Sequence, residues 1–179
     1  MDEEASPVAD EAPFDGPVDV LNFALTLEHL EATFYREGLE EFDVAAFEEL
    51  GFQASVRDRV SDIADHEAAH VEALVATIEE LGGEPVAEAE YDFGYDDLDS
   101  FLEVAQVLED TGVSAYQGAA QYLIEEDELL TAALTIHAVE ARHASYLALL
   151  NENNPFPEAF NPTLTPEEVL DAVTPFIVD

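Results

Sequence analysis

At 179 residues the chain is long enough for one domain with a real core and too short for two comfortable ones. Its 43 acidic residues stand against four arginines and no lysine, a formal net charge of -39, a balance that repels nucleic acid and anionic membranes. Cysteine is absent, which excludes disulfides, thiolate zinc sites, iron–sulfur clusters and a cysteine nucleophile, so any metal must be held by oxygen and imidazole.

A hydrophobic fraction of 48% argues against disorder as the source of the acidity, because a chain this apolar can pack. Acid spread over the surface of a normal core suits concentrated salt, where the screening length is about 3 Å at 1 M. A halophilic source is therefore expected. The first 15 residues are acidic where a signal peptide would be basic, and no apolar run is long enough to span a bilayer. A cytoplasmic location without membrane contact follows as the expectation.

Residues 1–16 mix acid, alanine and proline without helical periodicity and read as a disordered acidic tail, leaving 17–179 as the domain. Long helices are predicted near 18–39, 53–82, 97–122 and 125–151, with Gly38 and the Gly82-Gly83 pair at expected helix stops. A short helical candidate, 44–50, lies between the first two. The stretch from Gly82 to Asp97 carries Pro85, Gly94 and three aromatic residues. It is the longest irregular connection between long helices, and in a four-helix bundle such a length can cross from one end to the other. After Asn151, prolines 155, 157 and 162 break the helix. Thr165-Pro166-Glu167-Glu168 then has the marks of a new start: a Thr N-cap, Pro at the first helical position and Glu at the third. The expected fold class is all-α, a four-helix bundle with a long crossover between helices two and three and a short C-terminal fifth helix.

One pattern is written twice. Leu27-Glu28-x6-Tyr35 precedes Glu67-x-x-His70, and Leu108-Glu109-x6-Tyr116 precedes Glu140-x-x-His143. Seven residues return to nearly the same side of a helix, about 20° off, so each tyrosine shares its glutamate's face. In the second helix Val56, Val60, Ile63, Glu67, His70, Leu74 and Ile78 form one seam. The fourth repeats it with Leu129, Ala133, Ile136, Glu140, His143 and Leu147, the spacing of a core-facing stripe. Glu109 lies in a similar stripe on the third helix, and Glu28 at the edge of the apolar face of the first. A carboxylate buried there costs several kcal/mol unless it is neutralised, paired or bound to metal.

Four arginines placed mostly elsewhere cannot pair with four such glutamates; metal ions can. Four carboxylates and two neutral imidazoles carry a formal charge of -4, which balances two divalent cations. One Glu from each of two helices plus Glu-x-x-His from each of the other two is the donor set of a di-iron or di-manganese carboxylate bundle. A spacing of three brings Glu and His of one helix onto one ion.

These residues resemble the ferritin-like superfamily. The stretches from Leu21 to Tyr35, Leu108 to Tyr116 and Ala138 to Ala144, with the tail from Leu164 to Leu170, are most similar to its desiccation-related branch, over roughly residues 18–176. The resemblance implies that Glu28, Glu67, His70, Glu109, Glu140 and His143 are the ligands of a dinuclear iron or manganese centre. It also implies that Tyr35 and Tyr116 stand near the metals in a catalytic, redox or hydrogen-bonding role. The implied function is chemistry on O2, peroxide or ferrous iron, of ferroxidase, peroxidase or manganese catalase type, in oxidative-stress defence or iron handling. Assembly as a homo-oligomer is compatible with it. No rubredoxin-like cysteine segment is present, which disfavours an electron-relaying rubrerythrin.

Other readings stay open at this point. The chain could be a non-catalytic stress or desiccation protein with a structural or vestigial metal. His66-Glu67-x-x-His70 also fits the zinc metalloprotease pattern, although the second copy has Val139 where the first has His66. Glu31 could be an extra ligand or could neutralise a histidine, His137 could orient a ligand or face solvent, and His29 reads as a boundary residue. Gly112 could allow close helix packing or mark a distortion.

Overall fold

The structure, a computed structural model, describes residues 13–178. The expected tail lies outside this range but for its last four residues, among which Phe14 sets its ring edge-on against Tyr122. Six helices follow: α1 (Pro17–Glu41), α2 (Val44–Glu49), α3 (Ala54–Glu80), α4 (Leu98–Ala119), α5 (Asp127–Leu150) and α6 (Pro166–Val173). The four long ones build an all-α bundle in which α1 packs chiefly on α3, α4 chiefly on α5, and α1 also meets α4. None of the described helices is long and apolar enough to cross a membrane.

Local chemistry sets the helix ends. Asp97 and Ser100 form a reciprocal capping box at α4, and Thr165 with Glu168 forms the one expected at α6. These pairs satisfy backbone donors that a helix start leaves free. Gly82 ends α3 at φ +77, and the Gly83 N–H turns back to the carbonyl of Ile78 at 2.9 Å, a left-handed stop that favours glycine. Gly38 is not a stop. Helix α1 continues past it to Glu41 because glycine is needed there for packing: a Cβ would stand 2.0 Å from the Phe101 ring. Arg57 of α3 then caps the end of α1, donating to the carbonyls of Leu39 and Phe42 at 2.9 and 3.0 Å. The third long helix is shorter than expected, its final turn tightening into a 3-10 turn over Ala120–Leu123.

The connection from α3 to α4 does cross the bundle, and it runs along α1. Asn22 holds the carbonyl of Glu84 and the N–H of Val86, His29 donates from Nε2 to the carbonyl of Val86 at 3.1 Å, and Arg36 pairs with Glu88 at 2.9 Å. Further on, its aromatic residues become core. Phe93 is buried and meets Phe34 edge-on, while Phe34 lies flat on Phe101 with ring centres 4.5 Å apart. Two residues of the crossover, β1 (Glu90–Tyr91), pair antiparallel with β2 (Ile177–Val178). This small ribbon was not expected from the sequence and ties the C-terminal segment to the crossover.

The acid is sorted by burial. Among the described residues the buried carboxylates are Glu28, Glu31, Glu67, Glu109 and Glu140. Two come from α1 and one each from α3, α4 and α5, so the bundle has gathered them from all four long helices.

Candidate metal centre

The six sequence-derived ligand candidates converge in two groups of four. Glu28, Glu67, His70 and Glu140 each offer a donor atom within 4.8 Å of the others, and so do Glu67, Glu109, Glu140 and His143. Glu67 and Glu140 belong to both groups. His70 Nδ1 lies 3.1 Å from Glu28 Oε2, Glu67 Oε2 and Glu140 Oε1. His143 Nδ1 lies 3.0 Å from Glu67 Oε1, 3.3 Å from Glu109 Oε2 and 4.0 Å from Glu140 Oε2. Each shared carboxylate thus turns one oxygen to each histidine, as a carboxylate bridging two cations would.

The donor set fits metal ions on a second count. Glu67 Oε1, Glu109 Oε2, both oxygens of Glu140 and His143 Nδ1 are buried without a hydrogen-bond partner. Buried polar atoms are seldom left so without cause. Separations of about 3 Å match the edge of an octahedron with metal–ligand bonds of about 2.1 Å. Carboxylate and imidazole suit iron and manganese alike.

Both tyrosines are buried, and they cross. Tyr116 of α4 donates to Glu28 Oε1 on α1 at 2.5 Å; Tyr35 of α1 donates to Glu109 Oε1 on α4 at 2.6 Å. The sequence places each tyrosine on its own glutamate's face, and the structure gives it to the glutamate of the other half. Each phenol occupies one carboxylate oxygen and leaves Oε2 facing a histidine. Burial and the neighbouring carboxylates raise both phenol pKa values well above the ordinary 10.0, so both remain protonated donors.

Without a cation the centre must hold protons. Burial, reinforced by neighbouring carboxylates, raises Glu28, Glu31 and Glu109 well above the ordinary 4.5. Burial pushes Glu67 the same way, but the neighbouring groups His143, His70 and Glu28 together outweigh it and lower Glu67 to about 2. For His70, burial would favour the neutral ring; the surrounding carboxylates of Glu140, Glu28 and Glu67 prevail and raise it to about 12. Five buried carboxylates this close together cannot all be charged unless positive charge enters with them.

The remaining polar residues sort clearly. Glu31, ambiguous in sequence, is buried at the centre. Gly112 makes room for it: a Cβ there would stand 3.0 Å from Glu31 Oε1. The helix stays regular at that point, so packing and not distortion is the reason for the glycine. His66 belongs to neither four-donor group; its Nδ1 lies 2.9 Å from His143 Nε2. The metalloprotease arrangement, which needs His66 and His70 on one ion, is not assembled. His137 contacts no ligand candidate through a hydrogen bond, and its Nε2 is buried without a partner beside a groove between α4, α5 and residues 154–162. His29 serves the crossover. An apolar cavity of about 50 Å³, bordered by Leu21, Ala24, Leu74, Tyr116 and Ile136, lies between the helices on the Tyr116 side.

Residues 16–153 match a family model described as a ferritin-like domain. Protein rds1 of Schizosaccharomyces pombe is 30% identical over 160 residues, covering 88% of this chain and 38% of that protein. The chain therefore spans less than half the length of this curated relative.

Proposed function

From the premise that this chain belongs to the ferritin-like domain family, we propose that it is a dinuclear iron or manganese carboxylate protein acting on O2, peroxide or ferrous iron. Its service is oxidative-stress defence or iron handling. In this reading Glu28 and His70 would hold one ion and Glu109 and His143 the other, with Glu67 and Glu140 available to both. The observation that carries it is the sharing of Glu67 and Glu140 between two otherwise separate four-donor groups.

Iron or manganese, when bound, supplies one-electron redox changes between two plus and three plus. The chain's own residues do the rest. Glu67 and Glu140 each turn one oxygen toward His70 and the other toward His143, and so would serve both ions. Tyr35 and Tyr116 act as positioning residues: by occupying Glu109 Oε1 and Glu28 Oε1 they turn the second oxygen of each carboxylate inward. His66, beside His143 Nε2, holds that imidazole with Nδ1 facing the centre, the outer hydrogen bond that a metal-bound histidine usually has. The small cavity beside Tyr116 is lined almost wholly by apolar side chains, a lining that offers water few hydrogen-bond partners.

The test is metal analysis of purified protein followed by turnover. About two metals per chain are expected, lost in the Glu67→Ala/Glu140→Ala double variant, with oxidation of ferrous iron or consumption of peroxide by the loaded wild type. Full metal occupancy in the double variant would refute the assignment. A second reading, a non-catalytic stress protein with a structural metal, draws on the complete burial of Glu28, Glu67, Glu109 and Glu140. A metal-loaded protein with neither activity favours it.

A further inference from the structure

The ligand helices repeat at fixed offsets. Glu28, Glu31 and Tyr35 of α1 correspond to Glu109, Gly112 and Tyr116 of α4, and His66, Glu67 and His70 of α3 correspond to Val139, Glu140 and His143 of α5. Four of these six pairs are identical residues. The two that differ are Glu31 against Gly112 and His66 against Val139.

Both differences act at the same ion position. Glu31 is 2% exposed, and no hydrogen bond fixes its carboxylate among the described residues. That carboxylate reaches the α4 backbone at Gly112, where a Cβ would stand 3.0 Å from Glu31 Oε1 and 3.7 Å from Glu140 Oε2. Glu140 Oε2 is the oxygen turned to His143, whereas Oε1 is turned to His70. His66, the other unmatched residue, meets His143 at 2.9 Å with the rings nearly parallel, 11° apart. At the His70 end the corresponding residues are glycine and valine, which can provide neither contact.

We propose that the two metal positions are inequivalent by construction: Glu31 is an added ligand reserved for the Glu109–His143 position, and that position takes the first divalent cation. The inference rests on the dinuclear reading given above. Each four-donor group holds three carboxylates, Glu67, Glu109 and Glu140 here and Glu28, Glu67 and Glu140 at the other position; Glu31 lies outside both groups, but its Oε1 and Glu140 Oε2 both approach Gly112, so a turn of its side chain would add a fourth carboxylate at this position alone. A cation entering the pocket gains more from the larger negative charge, and His66 holds the histidine already turned toward it. Glycine at 112 lets the Glu31 carboxylate come close to the α4 backbone, where a Cβ would crowd it at 3.0 Å. The same substitution leaves the His70 end without a counterpart.

The experiment is titration of Mn2+ into the metal-free 179-residue chain, read by equilibrium dialysis and by the electron paramagnetic resonance spectrum of the bound ion. Two steps are expected, the first tighter by about tenfold or more, with a spectrum of isolated Mn2+ before that of a coupled pair. His70→Ala keeps the tight step and His143→Ala loses it. Glu31→Gln, which preserves volume, brings the steps to within about threefold, and Glu31→Gly, which copies the α4 residue, does the same. His66→Val, a change at the outer edge of the bundle, weakens the tight step alone. Loss of the tight step in His70→Ala with retention in His143→Ala overturns the inference, as does a Glu31→Gln titration identical to wild type. Two ions bound with equal affinity in wild type overturn it while leaving the dinuclear reading in place. No uptake of Mn2+ or Fe2+ overturns both.

Discussion

Replacing Tyr116 by phenylalanine keeps the ring, its packing and its volume, and deletes a single O–H that donates to Glu28 Oε1 at 2.5 Å. Glu28 is 0% exposed, so water cannot replace the lost donor, and the oxygen stays buried and unsatisfied. Losing a hydrogen bond of this kind costs about 1.5–3 kcal/mol. For a domain of this length that lowers the melting temperature of the metal-free protein by roughly 4–10 °C. The direction of the bond makes the test sharper than its size. Tyr116 shares helix α4 with Glu109 but bonds to Glu28, so a double-mutant cycle with Glu28→Met should show a coupling of about 1 kcal/mol or more. The cycle with Glu109→Met should be near additive. In metal titrations the loss should fall on the ion held with His70. Thermal melts of the four proteins in each cycle measure the coupling. Strong coupling to Glu109 and none to Glu28 would refute the crossed arrangement.

The metal-free fold should lose stability as pH rises. Glu28, Glu31 and Glu109 have folded-state pKa values above the ordinary 4.5, so their contribution is full below that value and is lost as pH climbs through the raised ones. His70, raised from 6.5 to about 12, acts with the same sign from neutral pH upward, while Glu67, lowered to about 2, opposes it only below 4.5. Each excess proton in the folded state contributes about 1.4 kcal/mol per pH unit. Melting temperatures in molar salt, where surface repulsion is screened, should fall from pH 5 to 9 without metal and hold steady with it; parallel curves would contradict this. Gly38→Ala drives a methyl into the Phe101 ring, 2.0 Å away before relaxation, and should destabilise by about 1–3 kcal/mol in chemical denaturation with metal binding intact, an expectation that an unchanged midpoint would defeat.

The four long helices were legible because their apolar stripes keep one period over many turns, and the repeated Glu-x-x-His stood out because histidine is rare in this chain. What was not legible depended on neighbours brought together by the fold. Gly38 has the composition of a helix stop, and only the presence of Phe101 across the interface shows that it is a packing residue. The partner of each tyrosine lies in the other half of the chain, beyond what periodicity within one helix can report. Glu31 sits three positions from Glu28 on α1, and its burial becomes understandable only once Gly112 is seen opposite. The ribbon of β1 and β2 consists of two residues on each side, too few for an alternating pattern to register. Comparing positions 28–35 with 109–116 would have found the Glu31 and Gly112 contrast in the sequence itself.

The crossed tyrosines have a topological consequence. Hairpin α1–α3 gives a phenol to hairpin α4–α5 and receives one back, the reciprocity of a two-fold self-complementary dimer, here built into one polypeptide. Because the two bonds connect hairpins and not residues within one hairpin, exchange of α4–α5 between two molecules would preserve both of them. The segment between Gly82 and Asp97, by running back along α1, is what commits each hairpin to its own chain.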